Sequence, residues 1–154
     1  MHAIMAFSTM VLMLRDALAS SVELSGVQYE IMVILHRMHD QDNGICVSDV
    51  ASRTRRSGSF ITIESGKLEV RGLLTKRPDP ENRRRVLLRL TGKGEVVLTS
   101  LVPLQQVVND TLLGSVSRSE FDTLRRLVGK IVPDGEQAIA EVEFRAQTAK
   151  RRKS

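Results

Sequence analysis

The sequence predicts a mainly α-helical fold with one small β-hairpin, an α+β arrangement, and three observations carry that prediction. Apolar residues recur at helical spacing along most of the 154 residues, but on either side of Pro78, Asp79 and Pro80 two short runs read as strands instead. Residues suited to helix N-caps precede the helical stretches, at Ser25, Ser57, Thr91 and Ser117. Two short helices joined by three or four residues come directly before the hairpin, which is helix-turn-helix spacing. A hairpin placed there is a wing, so the predicted architecture is a winged helix-turn-helix between terminal helices.

The first helix is expected from about Ala6 to Ser20, with Phe7, Met10, Leu14, Ala17 and Leu18 on its apolar side. Residues 17–19 resemble a signal-peptidase site. The start has no Lys or Arg ahead of its apolar run, and the run is short for a bilayer, so a buried amphipathic helix is expected. Ser25 and Gln28 form a capping-box pattern opening a second helix, whose apolar positions are Tyr29, Ile31, Met32, Ile34, Leu35 and Met38, with a break at 40–44. Residues 45–47 suit a short strand or an extended link. Ser48 is placed as the cap of a brief helix from Asp49 to Arg53, with Val50 and Ala51 inward. Ser57 opens the next helix, to about Arg71, and Gly72 stands where a left-handed terminal residue is expected. Leu73 to Arg77 and Val86 to Leu90 are the strands; in the second, Val86, Leu88 and Leu90 alternate with Leu87 and Arg89. Thr91 caps one long helix from Gly92 to Leu113, kinked at Pro103 and apolar enough to be buried on most sides, in part against a second subunit. Ser117 and Glu120 open a last helix carrying Phe121, Leu124, Leu127, Val128 and Ile131. Pro133, Asp134 and Gly135 should interrupt it before a weaker helix and a basic tail.

The charge is distributed unevenly. Residues 53–93 hold twelve Lys/Arg against four acids, a local charge of +8 in a chain whose formal net charge is +5. A basic block in an otherwise slightly acidic protein points to a polyanionic partner. A single cysteine, Cys46, rules out an intramolecular disulfide framework and suits a reducing, cytoplasmic setting. No nucleophile-base set, glycine-rich phosphate loop or paired catalytic carboxylates stand out, so neither catalysis nor a cofactor is expected.

The stretches LSGVQYEIMVIL, VSDVA and GKLEVRGLLTKRPDPENRRRVLLRLTGKG, in this order, resemble the multiple antibiotic resistance regulator (MarR) family of winged-helix transcription factors. The likeness covers about residues 24–98 by motif and the flanking helices by pattern. It implies a homodimer with interlocking terminal helices, a recognition helix in the major groove of double-stranded DNA and a wing in the flanking minor groove. It further implies a repressor of adjacent genes, released when a small aromatic or anionic effector binds between the dimerisation and DNA-binding regions. On that pattern residues 1–24 are an N-terminal dimerisation helix, 25–98 the DNA-binding region, 99–147 the C-terminal dimerisation helices and 148–154 a basic disordered tail. No membrane association is implied. The chain departs from the family at two places. Asn82 replaces the acid that usually holds the wing arginine, and Thr62, Ile63 and Glu64 stand where Thr-Arg-apolar is common.

The candidate DNA contacts follow. Arg83, Arg84 and Arg85 at the wing tip, Arg84 foremost, suit a narrow minor groove, although charge runs are also ordinary solvated loops. Arg53, Arg55 and Arg56 end the first helix of the motif and fill its turn, where backbone phosphates pass. Ser57, Ser59, Thr62, Ile63 and Lys67 are candidates for the groove face, with Lys76 beside them on the first strand; Ser57 serves equally as a cap. Ile61 and Leu68 are core by spacing, and Phe60 is expected to be packed. Cys46, between Ile45 and Val47, reads as a small buried hydrophobe before a redox sensor. His36, His39, Asp40 and Asp42, with His2, are too incomplete a set for a metal site. The expected function is a dimeric regulator on a pseudo-palindromic operator. The alternative is a ligand-sensing interaction module with weak or nonspecific DNA binding, which the missing recognition-helix arginine favours.

Overall fold

The computed structural model describes residues 2–38 and 44–151, with side chains through 149. It comprises two compact units, Met1–Val108 and Asn109–Ser154. The first contains α1 (His2–Ser20), α2 (Gly26–Arg37), β1 (Ile45–Cys46), α3 (Val47–Thr54), α4 (Gly58–Val70), β2 (Leu74–Pro78), β3 (Val86–Leu90) and α5 (Gly92–Ser100). Helix α6 (Val102–Leu113) contains the boundary, and α7 (Arg118–Arg151) makes up most of the second unit. The strands form one antiparallel sheet in the order β1-β3-β2. Leu74 faces Leu90 and Pro78 faces Val86 across the hairpin, while Ile45 pairs with Leu88 on the other edge of β3.

Four predicted caps work as local chemistry requires. Ser25 Oγ accepts the Gln28 N–H (3.2 Å) and Gln28 Oε1 accepts the Ser25 N–H (3.1 Å), so both halves of the capping box are made. Ser57 Oγ accepts from Phe60 N (3.3 Å) and Thr91 Oγ1 from Gly94 N (3.1 Å). Glu120 reaches back to the Ser117 N–H at 2.9 Å, and its bonds from the Ser117 hydroxyl and N–H hold its carboxyl below the usual range. Gly72 is left-handed, at φ +71°. The core joins Ile31, Met32 and Leu35 of α2 to Val50, Ile61, Leu68, Leu74, Leu88 and Leu98. Ile61 and Leu68, fully buried as their spacing predicts, each contribute about 1.5–3 kcal/mol by leaving water.

Several local expectations are corrected. Ser48 does not cap α3: the helix begins at Val47, directly after strand pairing ends, with Cys46 in the N-cap position and no side-chain cap. The helix expected over 92–113 is two helices. Pro103 has no N–H to donate to Thr99 O and disfavours helical geometry in the residue before it. Leu101 N–H therefore closes on Leu98 O (3.1 Å), one residue short of α-helical pairing, and the chain restarts at Val102. Pro133, by contrast, lies inside the continuous α7. It removes one backbone bond, and strong helix formers beyond it, among them Glu136, Gln137 and Ala138, carry the helix through. In β3, Leu87 is buried as well as Leu88, because β1 runs alongside and sets Cys46 opposite Leu87; Val86 and Arg89 are exposed.

Helix α1 starts earlier than expected, and of its residues only Ala19 is buried; Ile4, Met5, Phe7, Met10 and Met13 are exposed. At 19 residues it is long and apolar enough to cross a membrane by length and composition, contrary to the expectation for the N-terminal run. Its last turns dock on α2, where Arg15 pairs with Glu30 at 3.0 Å.

Candidate nucleic-acid interface

Helices α3 and α4 and the turn between them form a helix-turn-helix. The turn is tight because Arg55 adopts a left-handed conformation (φ +53°), which lets the Arg56 N–H close on Ala51 O at 3.0 Å. A non-glycine residue held there costs on the order of 1–3 kcal/mol, offset by the packing of buried Ala51 and Thr54 in the last turn of α3. Arg53, Arg55 and Arg56 are all exposed. Arg56 lies over the Phe60 ring, 5.8 Å from its centroid. Phe60, at the start of α4, is 37% exposed and so only partly packed, with Arg56 over its ring.

Helix α4 turns Ile61, Glu64, Ser65 and Leu68 inward, leaving Ser59, Phe60, Thr62, Ile63 and Lys67 outward. Ser59 Oγ shares a hydrogen bond with the capping Ser57 Oγ (3.1 Å), and Thr62 Oγ1 donates to Gly58 O (2.8 Å). Glu64 was not predicted to matter structurally. It is 7% exposed, accepts from Gln28 Nε2 at 2.9 Å, and binds Lys67 Nζ at 2.7 Å. A buried carboxylate is tolerable only when paired and hydrogen-bonded, and these two partners supply that. The Gln28 amide therefore serves the N-terminus of α2 with its oxygen and the middle of α4 with its nitrogen. Lys76 of β2 is also internally engaged: its Nζ donates to Thr62 O at 2.8 Å, tying the wing to α4.

The wing loop, 79–85, is closed by its own hydrogen bonds. Asp79 N–H donates to Arg85 O (3.0 Å), Arg85 N–H to Asn82 O (2.8 Å), and Asp79 Oδ1 accepts the Glu81 N–H (3.0 Å). Asn82 Oδ1 accepts the Arg84 N–H (3.2 Å), so the amide in the usual acid position fixes the backbone of Arg84 in place of its guanidinium. Arg83 and Arg84 are exposed at the tip. Arg85 folds back. Its Nε donates to Cys46 Sγ at 3.3 Å, with Asp49 and Asp79 carboxylates each at 3.9 Å. Cys46 is buried, at 5% exposure, yet its sulfur also accepts from Ser48 Oγ at 3.3 Å. Burial pushes the thiol up, but the bonds from Ser48 and Arg85 outweigh it and hold it below its usual value. The bond to Cys46 and its charge, and then the nearby carboxylates, raise Arg85 further.

The structure thus leaves nine of the twelve sequence-predicted residues exposed on the motif and wing: Arg53, Arg55, Arg56, Ser57, Ser59, Thr62, Ile63, Arg83 and Arg84. Lys67, Lys76 and Arg85 are engaged within the protein. Of the metal reading, His36 sits 2.7 Å from Glu95 Oε2, while His39, Asp40 and Asp42 lie outside the described residues, as does the end of the basic tail. Among the described residues no group of three or more His, Cys, Asp or Glu converges.

No family model matches the chain. Among curated proteins it is 33% identical over 66 residues to the transcriptional regulator HosA of Escherichia coli O111:H-, covering 43% of this chain and 49% of HosA. The chain therefore spans about half the length of the curated relatives it matches. Among solved structures, it is similar to a MarR-family transcriptional regulator from Rhodococcus sp. RHA1, at a TM-score of 0.73 and 20% identity over 84% of this chain and 89% of that one. It is likewise similar to the MepR of the S. aureus MepR-DNA complex, at a TM-score of 0.71 and 17% identity over 86% and 95%. The chain therefore shares the winged helix-turn-helix fold of these MarR-family structures.

Proposed function

We propose that this protein is a homodimeric, cytoplasmic DNA-binding transcriptional regulator of the MarR type, acting on a pseudo-palindromic operator. One observation carries the reading: exposed arginines stand both at the helix-turn-helix bend (Arg53, Arg55, Arg56) and at the wing tip (Arg83, Arg84), with the outer face of α4 between them in sequence. A regulator of similar fold has been solved bound to DNA. Uncovered apolar side chains on α1 and, separately, along α7 (Phe121, Leu124, Leu127, Val128, Ile131) support a second copy as their cover. Repression of adjacent genes, and release by a small aromatic or anionic effector, rest on the family resemblance.

The test is binding to operator-length duplexes across a salt series. Neutralising about 6–10 phosphates per dimer predicts a loss of roughly 10³–10⁵-fold in affinity between 50 and 200 mM salt. Tight binding with no salt dependence overturns the reading. Half-sites should sit about 10 base pairs apart, centre to centre. The engagement of Lys67 by Glu64 favours a second reading, a ligand-sensing module with weak DNA binding. Selection from random duplexes separates the two: a reproducible half-site rejects the module.

A further inference from the structure

We propose that α4 selects its half-site through the methyl groups of thymine, contacted by Ile63 and the Thr62 methyl, and not by paired hydrogen bonds to guanine or adenine. The inference rests on the reading of α4 as a major-groove helix and adds what that helix recognises. Bidentate readout requires a long polar side chain: Arg or Lys for guanine, Asn or Gln for adenine. Within Gly58–Val70 only Lys67 and the two glutamates have that length, and each is committed elsewhere. Lys67 is bound to Glu64 at 2.7 Å, Glu64 is buried against Gln28, and Glu69 accepts the Lys76 N–H at 3.1 Å. Reaching a base would require Lys67 to give up this contact, because Glu64 is held in place by Gln28 and does not move with it.

What remains on the outer stripe, at positions 59, 62, 63 and 66, is hydroxyl, methyl, isoleucine and glycine. These positions follow i, i+3, i+4 and i+7 spacing and so share one face. The exposed Thr62 donates its hydroxyl proton to Gly58 O, so it has no donor left for a base and offers only an acceptor oxygen and its methyl. Ile63 is 58% exposed in the middle of the helix, where Ile61 and Leu68 are fully buried; the other exposed aliphatic, Val70, is the last residue of α4. Thymine is the one base that offers an apolar group, its C5-methyl, in the major groove.

The experiment uses the full chain and a half-site selected from random duplexes. Each thymine in that site is replaced in turn by deoxyuridine, which removes only the methyl. At one or two positions affinity should fall about fourfold per methyl removed. Ile63→Ala should fold normally, bind less tightly, and become indifferent to deoxyuridine at the same position. If all thymine-to-deoxyuridine changes are silent, or if 7-deazaguanine alone weakens binding, the inference is overturned while DNA binding stands. Binding with no reproducible half-site overturns it in the same way. Failure to bind any duplex at low salt refutes the DNA-binding reading as well.

Discussion

Replacing Glu64 tests whether the inner face of α4 is held as described. Glu64→Leu removes the acceptor from Gln28 Nε2 (2.9 Å) inside a site where Gln28 is itself only 9% exposed. A buried donor left without a partner costs about 1–3 kcal/mol. The Lys67 contact adds little, because the lysine side chain is mostly in solvent and exposed pairs contribute about 1 kcal/mol at most. Glu64→Leu should therefore destabilise the protein more than Lys67→Ala does. In a chain of this size each kcal/mol lowers Tm by roughly 2–4 °C. Urea denaturation followed by circular dichroism, at one fixed protein concentration, reads both variants. Gln28→Leu alone strands the carboxylate, so the Gln28→Leu/Glu64→Leu double variant should be less destabilised than the sum of its parts. Strict additivity, or a Glu64→Leu loss no larger than that of Lys67→Ala, would refute the buried bridge.

Three further outcomes follow from the same geometry. Arg84→Ala, at the exposed wing tip, should weaken operator binding and reduce the salt slope by about 1.8 for the dimer, about 0.9 for each protomer's arginine, without changing Tm; a fall in Tm measured by calorimetry counts against that placement. Because folding lowers the Cys46 thiol, the unfolded chain binds the extra proton through the thiol range, so this group adds stability as pH rises. The stability difference between wild type and Cys46→Ala should thus grow from neutral to mildly alkaline pH in denaturant titrations, and a flat difference would show the Arg85 and Ser48 contacts to be inconsequential. Gly94→Ala sets a Cβ only 2.2 Å from Leu73 O, a backbone atom, so α5 must shift from the hairpin at a cost of about 1–3 kcal/mol or more. A variant as stable as wild type would mean α5 does not pack that closely.

Local chemistry was legible in the sequence because it acts over three or four residues. The caps at Ser25, Ser57, Thr91 and Ser117, the left-handed Gly72 and the strands around Pro78 each follow from neighbours along the chain, and each is observed. Where local signals competed, the reading failed: Ser48 looks like a cap until β1 pairs with β3 and α3 starts two residues earlier. Pro103 and Pro133 look alike in sequence, but one coincides with a helix break and the other does not.

By itself, then, the sequence determined the order of elements, the basic segment from 53 to 93 and the exposed arginines that make nucleic acid the expected partner. Only the tertiary structure decided which polar groups remain available to it. Charge runs do not reveal their partners, and the partners here come from distant positions: Gln28 reaches Glu64, Lys76 reaches Thr62, and Cys46 meets Arg85. Three adjacent arginines become two outward groups and one inward tether, and the lysine of α4 is paired with Glu64 of the same helix. The physical reason is that a buried charge or donor must be satisfied, and satisfying it draws side chains from the surface that sequence alone would assign to DNA.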